Sequence, residues 1–287
     1  MFVIGFAAIA ALSYPAWLLL HPYFSFPFHR VGERIGMIAL LAAFLVLAPR
    51  LKVRDRASLG YGASLPTLLR EIGLGALIGV VTMTVVVGLM TALGLLDWAA
   101  AASFDAPAVV RLFAARLLSA LAVALIEETF LRGAMLTAIR RESGSTVAVA
   151  LTALVYALSH FFASFHIPPE QVTASSGLDL LGGTLHLLAQ PLGVADAFLC
   201  LFAVGVVLGT VRVATGNIAA CIGLHFGWVW VMLVAHEMSH PVRSATLSFL
   251  LSRFDGFVGW LVLAWTVLLG LALRRFYAGR TPASTRY

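Results

Sequence analysis

The sequence predicts an all-α fold, a polytopic membrane bundle of about eight transmembrane helices, and three observations carry that expectation. Of its 287 residues, 61% are hydrophobic and only 11% are charged, where a soluble domain carries about 25% charged residues. Mean hydropathy is +0.98. The apolar residues also gather in uninterrupted runs near the roughly 20 residues that cross a hydrocarbon core as a helix. Too few polar side chains exist to cover a water-facing surface, and the same shortage excludes disorder.

The runs fall at 3–20, 36–49, 73–95, 108–138, 147–163, 194–211, 218–236 and 257–273. The first lacks a basic lead and a small-residue cleavage site, so it reads as an anchor rather than a removable signal. The second extends back toward Ile35. The fourth is too long for one crossing and carries charge. Gly75 and Gly79, and again Gly205 and Gly209, give the small-xxx-small spacing at which helices approach closely. Between the fifth and sixth runs, 164–193 holds no Lys or Arg and fits an interfacial or re-entrant element. Asp196 reads as a cap opening the sixth run. The chain divides into three parts: 1–107, N-terminal transmembrane helices; 108–240, a core of four runs that opens with the charged one; and 241–287, a last helix with a basic tail.

The net charge is +6, but the cations sit in short clusters between apolar runs. They form no basic stripe with interleaved aromatics, so nucleic acid is not expected as a partner. With both termini cytoplasmic, twelve Lys and Arg residues fall inside, from the Arg50–Arg70 cluster to Arg286, and four fall outside: Arg30, Arg34, Arg243 and Arg253. The positive-inside rule favours that orientation. The preference for arginine, 18 against the single Lys52, suggests a GC-rich prokaryote and hence a bacterial inner membrane. Cys200 and Cys221 each lie within an apolar run and read as small buried hydrophobes, not as a disulfide framework.

Ionisable groups inside a membrane are costly and are functional candidates by default. The fourth run holds Glu127, Glu128 and Arg132. Glu128 and Arg132 are four apart with the acid first, the favourable order for a helical ion pair. Glu127 points about 100° away, has no partner on its own helix, and is therefore available as a general base. His160 follows in the fifth run and His225 in the seventh. Glu127 lies 13 residues before Arg140 and His160 lies 13 after Val147. Each is thus roughly 20 Å from the same turn, and antiparallel neighbouring helices would bring them level. His225, eight residues past Asn217, is roughly 12 Å deep and joins them if the helices are staggered. A purely structural Glu–Arg lock explains Glu128 and Arg132 but not Glu127.

These residues resemble the pattern of the CAAX protease and bacteriocin-processing (CPBP) family of intramembrane glutamic endopeptidases: EExxxR, an aromatic-xxx-His, and His-xxx-Asn. The matching positions are Glu127, Glu128 and Arg132; Tyr156 and His160; and His225 with Val229. The likeness covers about 110–236. It implies a metal-free reaction without cofactor, in which Glu127 and His160 activate a water and His225 stabilises the oxyanion, with Glu128, Arg132, Tyr156 and Trp228 in support. The substrate it implies is a membrane-associated protein or peptide within the lipid bilayer. Tyr156 stands for the family's usual Phe, a mild change. Val229 stands for the Asn, which removes an amide from the oxyanion site; Trp228, with an indole N–H, is the candidate substitute. A non-catalytic immunity or scaffold protein of the same fold is the alternative that Val229 raises. A second alternative is a zinc protease, because His236-Glu237-Met238-Ser239-His240 spells HExxH, with Asp255 as the nearest downstream carboxylate. Glu127, His160 and His225 could themselves hold zinc, since two imidazoles and a carboxylate form a catalytic zinc set.

Overall fold

A computed structural model describes residues 2–24, 26–47, 53, 55–99, 105–163 and 165–278. Arg50, Lys52, Arg54, Arg280 and Arg286, which enter the charge count behind the orientation, lie outside the described residues.

Nine α-helices are described, with a two-stranded sheet: α1 Phe2–Leu20, α2 Phe28–Leu47, α3 Leu65–Ala92, α4 Ala106–Glu128, α5 Leu136–Ser159, α6 Ser176–Leu188, α7 Pro191–Thr215, α8 Ala219–Met238 and α9 Trp260–Ala278. Strands β1 (Leu96–Trp98) and β2 (Ser239–Pro241) pair antiparallel, Asp97 opposite His240. Long apolar side chains point outward along the helices: Leu65, Val110, Leu118 and Leu268 are each more than 60% exposed. Such surface is incompatible with water and suited to lipid. The chain is an all-α, multi-pass membrane protein.

Six helical stretches among the described residues are long and apolar enough to cross a membrane. One of them, Ala106–Ser159, runs to 54 residues and is divided at Gly144, whose φ of 78° and ψ of 173° are non-helical. This break lies between the fourth and fifth expected runs, and only glycine takes that backbone freely. Helix α2 opens with Arg30, Glu33 and Arg34, so only its part from Ile35 onward is uncharged. Split at Gly144 and joined by α2, the six stretches yield the eight expected. The 164–193 segment holds α6, 13 residues long, packed on α1. Asp196 departs from its expected place: α7 begins at Pro191, so Asp196 lies within the helix and is not its cap.

The tightest helix pair is α3 with α8, which run parallel. A Cβ added to Gly75 would lie 2.6 Å from the Ala220 carbonyl oxygen, and one on Gly79 would lie 2.5 Å from that of Leu224. Gly223 and Gly227 face back onto Ile72 and Ala76. Backbone therefore meets backbone, as small residues permit where lipid supplies no hydrophobic drive between helices. The β1–β2 pair ties the ends of these two helices together. Gly205 similarly brings α7 onto Ala153 of α5. Helix α4 packs on α8, and α5 on α7. The expectation that α4 and α5 are side-by-side neighbours is thus replaced by a four-helix arrangement. Arg132, just beyond α4, reaches α7 across the space between them.

Candidate active site

The two glutamates end α4, and the helix changes character directly after them. Thr129–Met135 is a π-helical segment. A wider turn of this kind shifts the register of the helix beyond it and is frequent at functional positions. It is braced from outside: the Tyr61 hydroxyl bonds Thr129 Oγ1 at 2.6 Å, and Gly133 lets the Leu59 carbonyl approach to where a Cβ would sit only 2.8 Å away.

Arg132, in that segment, is fully buried, as is Glu128, and its Nη1 donates to Glu128 Oε1 at 2.9 Å. Its Nη2 donates to the Gly205 carbonyl of α7 at 3.3 Å, and its guanidinium carbon stands 4.8 Å from the centre of the Tyr156 ring. A buried guanidinium needs this many partners because desolvation otherwise outweighs a single Coulombic contact. Its own carbonyl accepts from Arg212 Nε at 3.2 Å. The expected Glu128–Arg132 pair is present, and it anchors three helices.

His225 of α8 is 3% exposed at its side chain and lies between the two carboxylates. Its Nδ1 is 2.8 Å from Glu128 Oε1, and its Nε2 is 4.0 Å from Glu127 Oε2. A carboxylate bound to a cation is an acceptor, so Nδ1 carries the hydrogen. His160 opens a short 3₁₀ turn after α5, and its Nδ1 is 2.8 Å from the Tyr156 carbonyl oxygen. That oxygen can only accept, so the neutral ring is the Nδ1–H tautomer with its Nε2 lone pair uncommitted. The Tyr156 ring touches both imidazoles, at 4.5 Å from the His160 ring centre and 5.9 Å from that of His225.

Glu127 differs from its neighbour in every respect that matters for chemistry. Its side chain keeps 29% of its exposure, and its Oε2 is buried without a hydrogen bond from the chain, like Glu128 Oε2 and Arg132 Nε. Buried polar atoms without partners are rare and point to a site where something else binds. Glu128 is structurally engaged; Glu127 is partly exposed, with His225 Nε2 4.0 Å from an Oε2 that makes no hydrogen bond. The structure thus gathers Glu127, Glu128, Arg132, Tyr156 and His225 from α4, the π segment, α5 and α8, and His160, in the 3₁₀ turn, borders them through the Tyr156 ring.

Two expected groups lie elsewhere. Trp228 donates its indole N–H to Thr82 Oγ1 of α3 at 3.0 Å and packs among Val87, Met90 and their neighbours, away from the carboxylates. The HExxH stretch is not one helical face. Helix α8 stops at Met238, Ser239 is extended (φ −146°, ψ 162°), and His240 sits on β2. The physical reason is Pro241, which has no N–H to continue a helix and drives its predecessor toward extended backbone. The motif's other residues are engaged separately: His236 stacks on Phe257 at 4.0 Å, Glu237 pairs with Arg116 of α4, and Asp255 accepts from the backbone N–H groups of Phe257 and Val258. Among the described residues, no three His, Cys, Asp or Glu side chains gather as a metal site.

Arg212 and the Gly205 carbonyl are hydrogen-bond partners of Arg132 that the sequence alone does not single out. Arg212 gives one signal, a lone cation ending an apolar run, which a topological role already explains. Gly205 marks only close helix packing.

No curated protein and no solved structure matches this chain. A family model does, that of type II CAAX prenyl endopeptidase Rce1-like proteins, over 109–231, a stretch that contains the six residues of this site and excludes His236, Glu237 and His240; that stretch is similar to the family.

Proposed function

We propose that the protein is an intramembrane endopeptidase that hydrolyses a peptide bond of a membrane-associated protein or peptide. The observation that carries this reading is the asymmetry of the adjacent glutamates: Glu128 is fully buried against Arg132 and His225, while Glu127 presents an unpartnered oxygen 4.0 Å from His225 Nε2. Glu127 takes a proton from a water as that water attacks the scissile carbonyl carbon, with the Nε2 lone pair of His160 as second acceptor. The carbonyl oxygen becomes an oxyanion. Glu127 then returns the proton to the departing amine, so the step closes without a cofactor.

His225 supplies the oxyanion donor from Nε2. With Nδ1–H already donated to Glu128, donation from Nε2 uses the doubly protonated ring. The Glu128–Arg132 pair is thus a support for His225 as well as a structural lock. One preorganised donor of this kind, in a site shielded from water, lowers a barrier by about 3–4 kcal/mol. Val229 offers no amide one turn beyond His225, and the Trp228 indole is held by Thr82, which leaves His225 as the oxyanion donor on α8. The substrate lies extended within the bilayer against the end of α4. Both termini are assigned to the arginine-rich, cytoplasmic side of an inner membrane.

The test is cleavage of membrane-anchored peptides by the full chain in detergent, with Glu127→Ala and His160→Ala variants that keep their thermal stability. Loss of cleavage in both supports the enzyme. A scaffold or immunity protein tolerates both changes in its own assay, and cleavage surviving Glu127→Ala overturns the assignment.

A further inference from the structure

At the arginine-rich end of the bundle, a cavity of about 480 Å³ is lined by Asp55, Ala57, Ser58, Thr137, Arg140, Arg141 and Arg212. Three cations face one carboxylate there, a net charge of +2. That carboxylate is directed inward on its own loop: Asp55 Oδ1 accepts the Ser58 N–H at 2.8 Å, which holds its carboxyl below the usual range. Two hydroxyls face the same space, and each already donates to a carbonyl, Ser58 to Asp55 at 2.9 Å and Thr137 to Ser58 at 2.8 Å.

Arg212 forms the floor. It is 5% exposed, and its Nε donates to the Arg132 carbonyl. Among the described residues no carboxylate pairs with it or with Arg140. A nearly buried guanidinium normally has an anionic partner, because its desolvation is otherwise uncompensated. Arg140 lies close enough to act on Arg212 as a like charge, so protein alone makes this arrangement unfavourable. Like charges converging on one cavity are stabilised by an anion, and guanidinium groups match the oxygens of phosphate in bidentate fashion.

We infer that this cavity binds a phosphate group between Arg140, Arg141 and Arg212. A phospholipid headgroup entering from the membrane interface, where basic pockets between helices hold such groups, and free phosphate share that chemistry. Its occupant also completes the partners of Arg212, the residue that holds the carbonyl of Arg132.

The experiment is native mass spectrometry of the full chain released from vesicles of phosphatidylcholine mixed with phosphatidylglycerol, with and without inorganic phosphate. Retention of phosphatidylglycerol over phosphatidylcholine, falling about fivefold for each of Arg140→Gln and Arg141→Gln and held by Arg140→Lys, supports the headgroup. A bound phosphate with the same variant dependence but no lipid preference supports the soluble anion. Both arginines are exposed, so their variants report binding rather than misfolding; Arg212→Gln serves as a third. If Arg275→Gln, exposed on α9 and outside the cavity lining, loses as much as Arg140→Gln, the attraction is diffuse and the site is refuted. Equal retention of both lipids, with no bound phosphate, refutes it as well.

Discussion

Replacing Arg132 by Met removes a cation that is fully buried beside a fully buried carboxylate. Three contacts go at once: the 2.9 Å bond to Glu128, the 3.3 Å bond to the Gly205 carbonyl and the approach to the Tyr156 ring. Methionine fills most of the volume, so the loss is electrostatic rather than a cavity. Breaking one side of a buried pair costs about 3–5 kcal/mol, because the remaining charge is stranded. Glu128→Gln strands Arg132 in the same way and falls in the same range. The double variant strands neither. It is expected to be no less stable than the worse single, which makes the coupling energy at least as large as the smaller single loss, about 3 kcal/mol or more. Unfolding of the full chain in mixed micelles, titrated with a denaturing detergent, measures all four corners of the cycle. Strictly additive losses would refute the pairing as the anchor of these helices. Cleavage is expected to vanish in all three variants, since Glu128 also orients His225.

The same geometry sets four further outcomes. Trp228→Phe loses the Thr82 bond, for about 0.5–1.5 kcal/mol of stability, and keeps the cleavage rate; a rate collapse would restore Trp228 as an oxyanion donor. Gly79→Ala places a methyl against the Leu224 carbonyl and is expected to destabilise by about 1–3 kcal/mol in thermal unfolding, as overpacking does. His236→Ala and His240→Ala leave cleavage intact and insensitive to chelators, whereas loss in both with zinc restoration would favour the metalloprotease. His29, ahead of the uncharged part of α2, is held down to about 4 by burial, by the His166 ring and by Arg30. Because the unfolded chain takes up that proton near 6.5, stability from this site is full above that pH. It declines as pH falls toward 4. His29→Phe is expected to flatten that part of the profile in pH-dependent melting.

The helical membrane bundle was legible because apolar length is a one-dimensional signal, and Gly144 confirmed a turn that composition alone had located. The Glu128–Arg132 pair was legible because four-residue spacing determines a helical neighbour. Features that depended on three dimensions were not. Depth along helices set His225 short of the glutamates, yet its ring bonds Glu128, since α8 rather than α5 is the neighbour of α4. The π segment at Thr129–Met135 left no mark in apolar periodicity. Trp228 offers an indole N–H beside Val229 in the sequence, but on α8 that N–H is given to Thr82 of α3. HExxH needs a helix to bring its histidines to one face, but Pro241 ends α8 early and Ser239–Pro241 pairs with β1.

The proposed hydrolysis requires Glu127, His160 and His225 to act as one unit. Residues acting together are strongly non-additive: removing one forfeits nearly as much rate as removing all. The direct measurement is kcat for Glu127→Gln, His160→Ala and His225→Gln singly and combined, on one membrane-anchored peptide. Single losses of about 10²–10⁴-fold are expected, with the triple variant scarcely slower than the worst single. Losses that multiply through to the triple, or a single variant with undiminished turnover, would contradict that requirement.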